Sequence, residues 1–214
     1  MKYFCYQVGI EFKNQLVSLR KEFFRKSIHI CTAFVPLALH LMRGPAILCL
    51  CLAGIFYIIA ESLRTNGHEI PLISDVTAAA ARKRDENKFV LGPVTLVAGI
   101  VASAVLWNET AAAVGIFALA FGDGLASLAG KTFGKIRVPY TRGKTVEGSL
   151  TCFAAIFAST FWVTNNCELA LLVATAGALI EVLPLKDFDN LFIPVLLGGI
   201  VFFFNSTYTA GAGL

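Results

Sequence analysis

The sequence predicts an all-α, polytopic membrane helix bundle of about seven transmembrane helices, with an amphipathic helix at its N-terminus. Three observations predict it. The 214 residues are 57% hydrophobic and only 15% charged, against about 25% charged for a soluble domain. Apolar runs near the length of a bilayer crossing recur along the chain. And seventeen of the eighteen Lys and Arg residues fall on alternate connections between those runs.

Residues 1–27 carry Lys2, Lys13, Arg20, Lys21, Arg25 and Lys26. No compact apolar stretch there precedes a small-residue cleavage site, so no cleavable leader is expected. Val8–Lys26 reads as an amphipathic helix lying on the membrane surface. Residues 28–214 read as a single transmembrane domain that bears the chemistry. Its apolar segments are Ile28–Met42, Pro45–Ala60, Phe89–Trp107, Ala111–Gly130, Val146–Val163, Leu169–Leu183 and Leu191–Phe204. Several are shorter than the roughly 20 residues of a spanning helix. Charged residues at their ends must snorkel, or the helices enter a polar cavity.

Arg43 is the one cation on the connections assigned to the outside. By the positive-inside rule the N-terminus is then cytoplasmic and the C-terminus lies on the opposite side. Twelve of the fourteen acids fall on the cation-rich face as well, Glu109 and Glu168 being the exceptions. Topology needs Lys and Arg but not acids, so this face holds more than an orientation signal. The six cysteines show no CxxC spacing and read as packing residues, with no disulfide framework and no zinc site. His29, His40 and His68 show no ligand spacing either.

Asp123 is the most informative residue. It stands in Phe121-Gly122-Asp123-Gly124, within a run that is otherwise apolar from Thr110 to Gly130. On a helix beginning near Thr110 it lies about 20 Å in, inside a hydrocarbon core about 30 Å thick. An ionisable group at that depth is a functional candidate by default, and its flanking glycines let backbone or ligand approach closely. Glu181 repeats the pattern about 18 Å along a helix from Leu169. The two carboxylates therefore sit at similar depth and could share one divalent cation. Asp187 and Asp189 follow, beyond the helix stop at Pro184.

The loop after Asp123 is basic and glycine-rich, from Gly130-Lys131 through Gly134 to Gly143-Lys144-Thr145-Val146-Glu147-Gly148. Glycines expose N–H donors, lysines supply point charges, and a helix N-terminus near Thr145 can face an anion. Gly143-Lys144-Thr145 looks like the end of a P-loop, but Val138 stands where the earlier glycine is required and no strand precedes it, so a Walker A site is rejected. A second basic cluster, Arg64 and Arg82–Lys88, reads as a lid over phosphates or a contact with anionic lipid; Ile70–Arg84 has helical composition. Acids that hold Mg²⁺ and cations that hold phosphates suit phosphoryl transfer, with Asp123, Glu181 and Lys144 as the catalytic candidates and a membrane lipid and a nucleotide as partners. No nucleic-acid partner is expected, and the sequence leaves the oligomeric state open. A transporter is disfavoured, because the chain has no pair of matching halves.

Arg25-Lys26-Ser27-Ile28-His29, Gly122-Asp123-Gly124 with Gly130-Lys131 and Gly134, Lys144-Thr145-Val146-Glu147-Gly148-Ser149, and Glu181 with Asp189-Asn190 and Ile193-Pro194 together resemble the CTP-dependent lipid kinases. That family includes dolichol kinase, phytol kinase and the yeast-type diacylglycerol kinase, and is similar to membrane phosphatidate cytidylyltransferases. The resemblance runs from Arg25 to Leu197. It implies CTP as co-substrate, Mg²⁺ as cofactor, and a lipid alcohol of diacylglycerol, phytol or polyprenol type as acceptor. It implies a nucleotide region of Arg25, Lys26, Gly122, Gly130, Lys131, Gly134, Lys144, Thr145 and Glu147, and metal ligation by Asp123, Glu181 and Asp189. The alternative it leaves is a cytidylyltransferase acting on a lipid phosphate. Glu181-Val182-Leu183-Pro184 looks more like phytol kinases, and Arg25–His29 more like the diacylglycerol kinases.

Overall fold

The computed structural model describes residues 17, 19–68, 77, 88–141 and 143–211, with side chains as far as 207. Most of Val8–Lys26 ahead of residue 19, and the surface helix and basic cluster expected over residues 70–87, lie outside the described residues, Thr77 excepted. Six helical elements carry the rest: α1 (Leu19–Thr65), α2 (Gly92–Leu106), α3 (Glu109–Phe133), α4 (Val146–Thr164), α5 (Cys167–Val182) and α6 (Asp189–Gly211). Among the described residues there is no strand, and one antiparallel bridge joins Arg137 to Thr145.

Helix α1 is two legs. A 3₁₀ turn over Thr32–Phe34 interrupts the first, and Met42 leaves the helical region altogether, at φ −150° and ψ 71°. Gly44 and Pro45 follow, a pairing that disfavours an unbroken helix. The contacts show the chain folding back there. Arg43 donates to Ala104 O (2.6 Å) and Trp107 O (3.2 Å) at one end of α2, while Tyr57 donates to Val90 O (3.1 Å) at the other. The first leg runs against α3 instead, from Lys26 at Asp123 to His40 at Glu109.

The remaining turns are capped by the residues that should cap them. Asn108 accepts from the Ala111 amide, Thr145 from Gly148 and Asn166 from Leu169, each offering a side-chain oxygen to an N–H left open by the first turn. Asn165 closes α4 in the left-handed conformation, at φ +50°, which Asn tolerates better than most residues. Helix α6 lies between α2 and α3. Ser103 Oγ donates to Pro194 O at 3.2 Å, and a Cβ on Gly115 of α3 would stand 3.0 Å from the same proline's carbonyl carbon. Small residues at such crossings let backbones meet, which drives helix association in lipid.

This is a membrane protein. Leu48, Leu52, Phe56 and Ile59 line the outer face of α1, each more than half exposed, where a soluble fold would bury them. Four helices, α1, α3, α4 and α6, are long and apolar enough to cross a bilayer. The expected seven crossings are not confirmed. Helices α2 and α5, with 15 and 16 residues, reach only about 24 Å at 1.5 Å per residue, short of a 30 Å hydrocarbon core. Asp123, Glu181 and the loop between α3 and α4 share one end of the bundle. Met42, Asn108 and Asn166 share the other.

Candidate functional site

Glu22, Arg25, Lys26 and His29 recur at i, i+3, i+4 and i+7, so α1 presents them on a single face. That face meets a second polar stripe, Asp123, Ser127 and Lys131, spaced by four along α3. The two stripes interlock. Lys26 donates to Asp123, and His29 Nδ1 stands 3.1 Å from Asp123 Oδ2. Glu22 accepts from Arg25, from Ser127 Oγ (2.6 Å) and from Lys131 Nζ (2.6 Å). Lys26, His29, Asp123 and Glu22 are all buried. In a low-dielectric interior a lone charge is expensive, and each of these has a partner of opposite sign or a ring nitrogen beside it.

Local backbone explains the aim of Asp123. Residues Ala118–Asp123 wind as a π-helix, which Asp123 ends. Such widened turns insert an extra residue and recur at functional positions. Gly122 supplies room, since a Cβ there would lie 2.7 Å from Ile156 Cγ1 of α4.

Arg25, Lys26, His29, Asp123, Asp187, Asp189 and Asn190 line one cleft of about 50 Å³, and Ile28, Val90, Pro93 and Leu96 form its apolar wall. The buried Asn190 fixes the start of α6 to α2 by donating to Gly92 O (3.2 Å) and Thr95 Oγ1 (3.3 Å). The cleft therefore combines cations, carboxylates and a hydrocarbon surface.

The other site residues expected from sequence fall into two further groups. Lys144 Nζ stands 3.1 Å from Glu181 Oε1, while Glu181 Oε2 is buried without a hydrogen-bond partner. Both this pair and the Lys26–Asp123 pair are charged neighbours of the buried Cys152. Each of the two carboxylates is held by its own lysine. The second group is the glycine-rich loop, which closes on itself as a short hairpin: Val138 N–H to Lys144 O, and Val146 N–H to Ile136 O, both 2.9 Å. Glu147 takes the N–H groups of Lys135 (2.9 Å) and Ile136 (3.3 Å). Gly130 and Gly134 make space for Thr145, whose hydroxyl would stand 2.9 Å and 2.7 Å from a Cβ on each. In this structure those glycines serve packing, and Lys131 is engaged by Glu22.

Glu22 and His29 are the site residues that sequence reading missed. The signal was present as the helical stripe. His29 enters the sequence reading as the end of the Arg25–His29 motif and as a histidine without ligand spacing, with no role assigned, and Glu22 stands among cations. Arg64 and Glu61 form another such unit: the guanidinium grips Glu61 through two bonds of 2.8 and 2.7 Å, and Glu61 accepts the Val90 amide at 2.9 Å. This anchors the approach to α2. Among the described residues no three His, Cys, Asp or Glu side chains are grouped as a metal cage.

The chain is 25% identical over 162 residues to the probable phytol kinase 1, chloroplastic, of Glycine max. This match covers 66% of the chain and 53% of that protein. It is 28% identical to phytol kinase 1, chloroplastic, of Arabidopsis thaliana, over 61% of the chain and 49% of that protein. Its resemblance is to the phytol and farnesol kinases. The farnesol kinase, chloroplastic, of Arabidopsis thaliana is 27% identical over 51% of the chain and 41% of its own length. These relatives bear out the lipid-kinase resemblance read from the motifs, and the chain spans about half the length of the relatives it matches. No family model matches the chain, and no solved structure matches it.

Proposed function

We propose that the chain is an integral-membrane kinase that transfers the γ-phosphate of CTP to a lipid alcohol. The observation that carries this reading is the buried Lys26–Asp123–His29 cluster opening into a cleft with both charged and apolar walls. Such a cleft suits a reaction between a polyphosphate and a hydroxyl that arrives from the bilayer. The names of the relatives favour an isoprenoid alcohol of the phytol or farnesol type as acceptor, and favour phosphate transfer over the cytidylyl transfer that the motifs also allow. CTP itself enters through the motif resemblance.

In this reading Arg25 and Lys26 hold phosphate oxygens as they shed charge to the leaving diphosphate. Asp123 orients Lys26. Ile28, Val90, Pro93 and Leu96 guide the hydrocarbon beside the acceptor hydroxyl and exclude water, so that the phosphoryl group reaches the alcohol and not solvent. Lys144, before the cap of α4, supplies a further cation to the nucleotide. The residues present fit a magnesium ion shared with the substrate. Such an ion needs only one or two carboxylates besides phosphate oxygens and water; Asp123 and Asp189 line the cleft, and Glu181 has an orphan oxygen. When bound, Mg²⁺ would neutralise charge on the transferring phosphate. The charge asymmetry of the sequence supports a cytoplasmic N-terminus and active site, with the C-terminus on the opposite side.

Incubating the purified protein with CTP and Mg²⁺ against phytol, farnesol, a polyprenol and diacylglycerol tests this. The expected products are CDP and a lipid monophosphate, with an isoprenoid alcohol preferred. Pyrophosphate release with a lipid phosphate as acceptor would turn the reading to a cytidylyltransferase.

A further inference from the structure

The Lys144–Glu181 pair has a feature that ion pairing does not explain. Its lysine faces only Oε1, at 3.1 Å, and leaves Oε2 buried with no donor. A buried acceptor without a partner is a standing cost, and native structures seldom keep one without a use. The two partners also differ in freedom. Glu181 is 7% exposed and fixed at the end of α5. The Lys144 side chain is 24% exposed and sits in the hairpin loop, one residue before the cap of α4. Lys26–Asp123 differs from it in freedom, since both side chains there are buried and His29 Nδ1 stands 3.1 Å from the same carboxylate oxygen that Lys26 meets.

We propose that Glu181 is a masked divalent-cation ligand. In the resting chain the Lys144 ammonium occupies the cation's place. When a nucleoside triphosphate binds, the lysine transfers to a phosphate oxygen and the accompanying cation takes its position at the carboxylate. No bond is made or broken in the exchange, and each charge keeps a partner of opposite sign throughout. The idea rests on the phosphoryl-transfer reading above and deepens it. Its consequence is linkage: nucleotide and cation must each raise the other's affinity by the same factor, because neither is fully accommodated while the lysine sits on Glu181.

Mn²⁺ titrations followed by electron paramagnetic resonance test this on the full chain in detergent, without acceptor lipid and with or without CTP. Wild type should bind Mn²⁺ weakly alone, and CTP should raise the affinity about tenfold or more beyond its own chelation of the ion. Lys144→Met should bind Mn²⁺ about tenfold more tightly than wild type without nucleotide, with most of the CTP enhancement gone. Glu181→Gln should show neither the site nor the enhancement. Lys144→Gln repeats the test with a polar side chain in case the methionine variant does not fold. Wild-type Mn²⁺ affinity in both lysine variants, or an undiminished CTP effect in them, would overturn the masking. If the Mn²⁺ pattern holds and no lipid phosphate is ever formed, the masked site stands and the kinase reading falls. If lipid phosphate is formed and Mn²⁺ binding ignores Lys144, the masking alone falls.

Discussion

Glu22, Arg25, Lys26 and His29 show how much of this site depends on a single helical face. Asp123→Asn keeps the shape of the side chain and removes the charge that orders Lys26 and His29. The expected outcome is a folded protein with no measurable transfer, checked by size-exclusion profile and lipid-phosphate assay. Glu22→Gln should act differently. It leaves Arg25 and Lys131 without their shared acid, and should cost about 1–3 kcal/mol of stability, read as a lower unfolding temperature in detergent. The lysines of the loop should separate as well. Lys144→Ala should lose roughly 2–4 kcal/mol of transition-state stabilisation when CTP is varied. Lys135→Ala should lose less, because that residue contributes mainly its backbone N–H to Glu147. Asp123 was legible in the sequence because a carboxylate inside an apolar run has no cheap explanation. Its partner His29 was not, since nothing in the spacing of histidines shows that α1 would lie against α3.

Helix boundaries followed from chemistry that sequence displays. Asn108, Thr145 and Asn166 each precede an apolar run and cap it. Thr145 does more, because its side chain also packs against Gly130 and Gly134. Thr145→Val should therefore lose the cap, about 1 kcal/mol, and disturb the hairpin, whereas Thr145→Ser should keep the cap; thermal unfolding of the two variants separates these contributions. Gly122→Val should clash with Ile156, at a cost of about 1–3 kcal/mol, and Ile156→Ala in the same chain should recover part of the loss. The π-helical stretch before Asp123 and the hairpin after Gly134 were not legible. A π turn adds one residue without a distinctive composition, and the hairpin is held by a single bridge and by Glu147, a contact between the loop and the next helix.

At the scale of the molecule, the apolar runs and the charge asymmetry set out an all-helical membrane protein with its candidate site at one end. The count of crossings was not legible, because α2 and α5 are apolar yet short and the sequence does not say how deep each sits. The sidedness can be measured. In a cysteine-free background Asn108→Cys and Asn166→Cys should react with an impermeant thiol reagent from outside, and Tyr140→Cys, almost fully exposed in the loop, only from the cytoplasm. The reverse pattern would invert the proposed orientation. The central claim, transfer of a terminal phosphate at the Asp123 cleft, is tested most directly by one labelling experiment on wild type and Asp123→Asn in lipid nanodiscs containing phytol. With CTP labelled on its γ-phosphorus, wild type should move the label into a lipid monophosphate and release one CDP for each, and the variant should move none. Label recovered in pyrophosphate, or equal transfer by Asp123→Asn, would contradict the account.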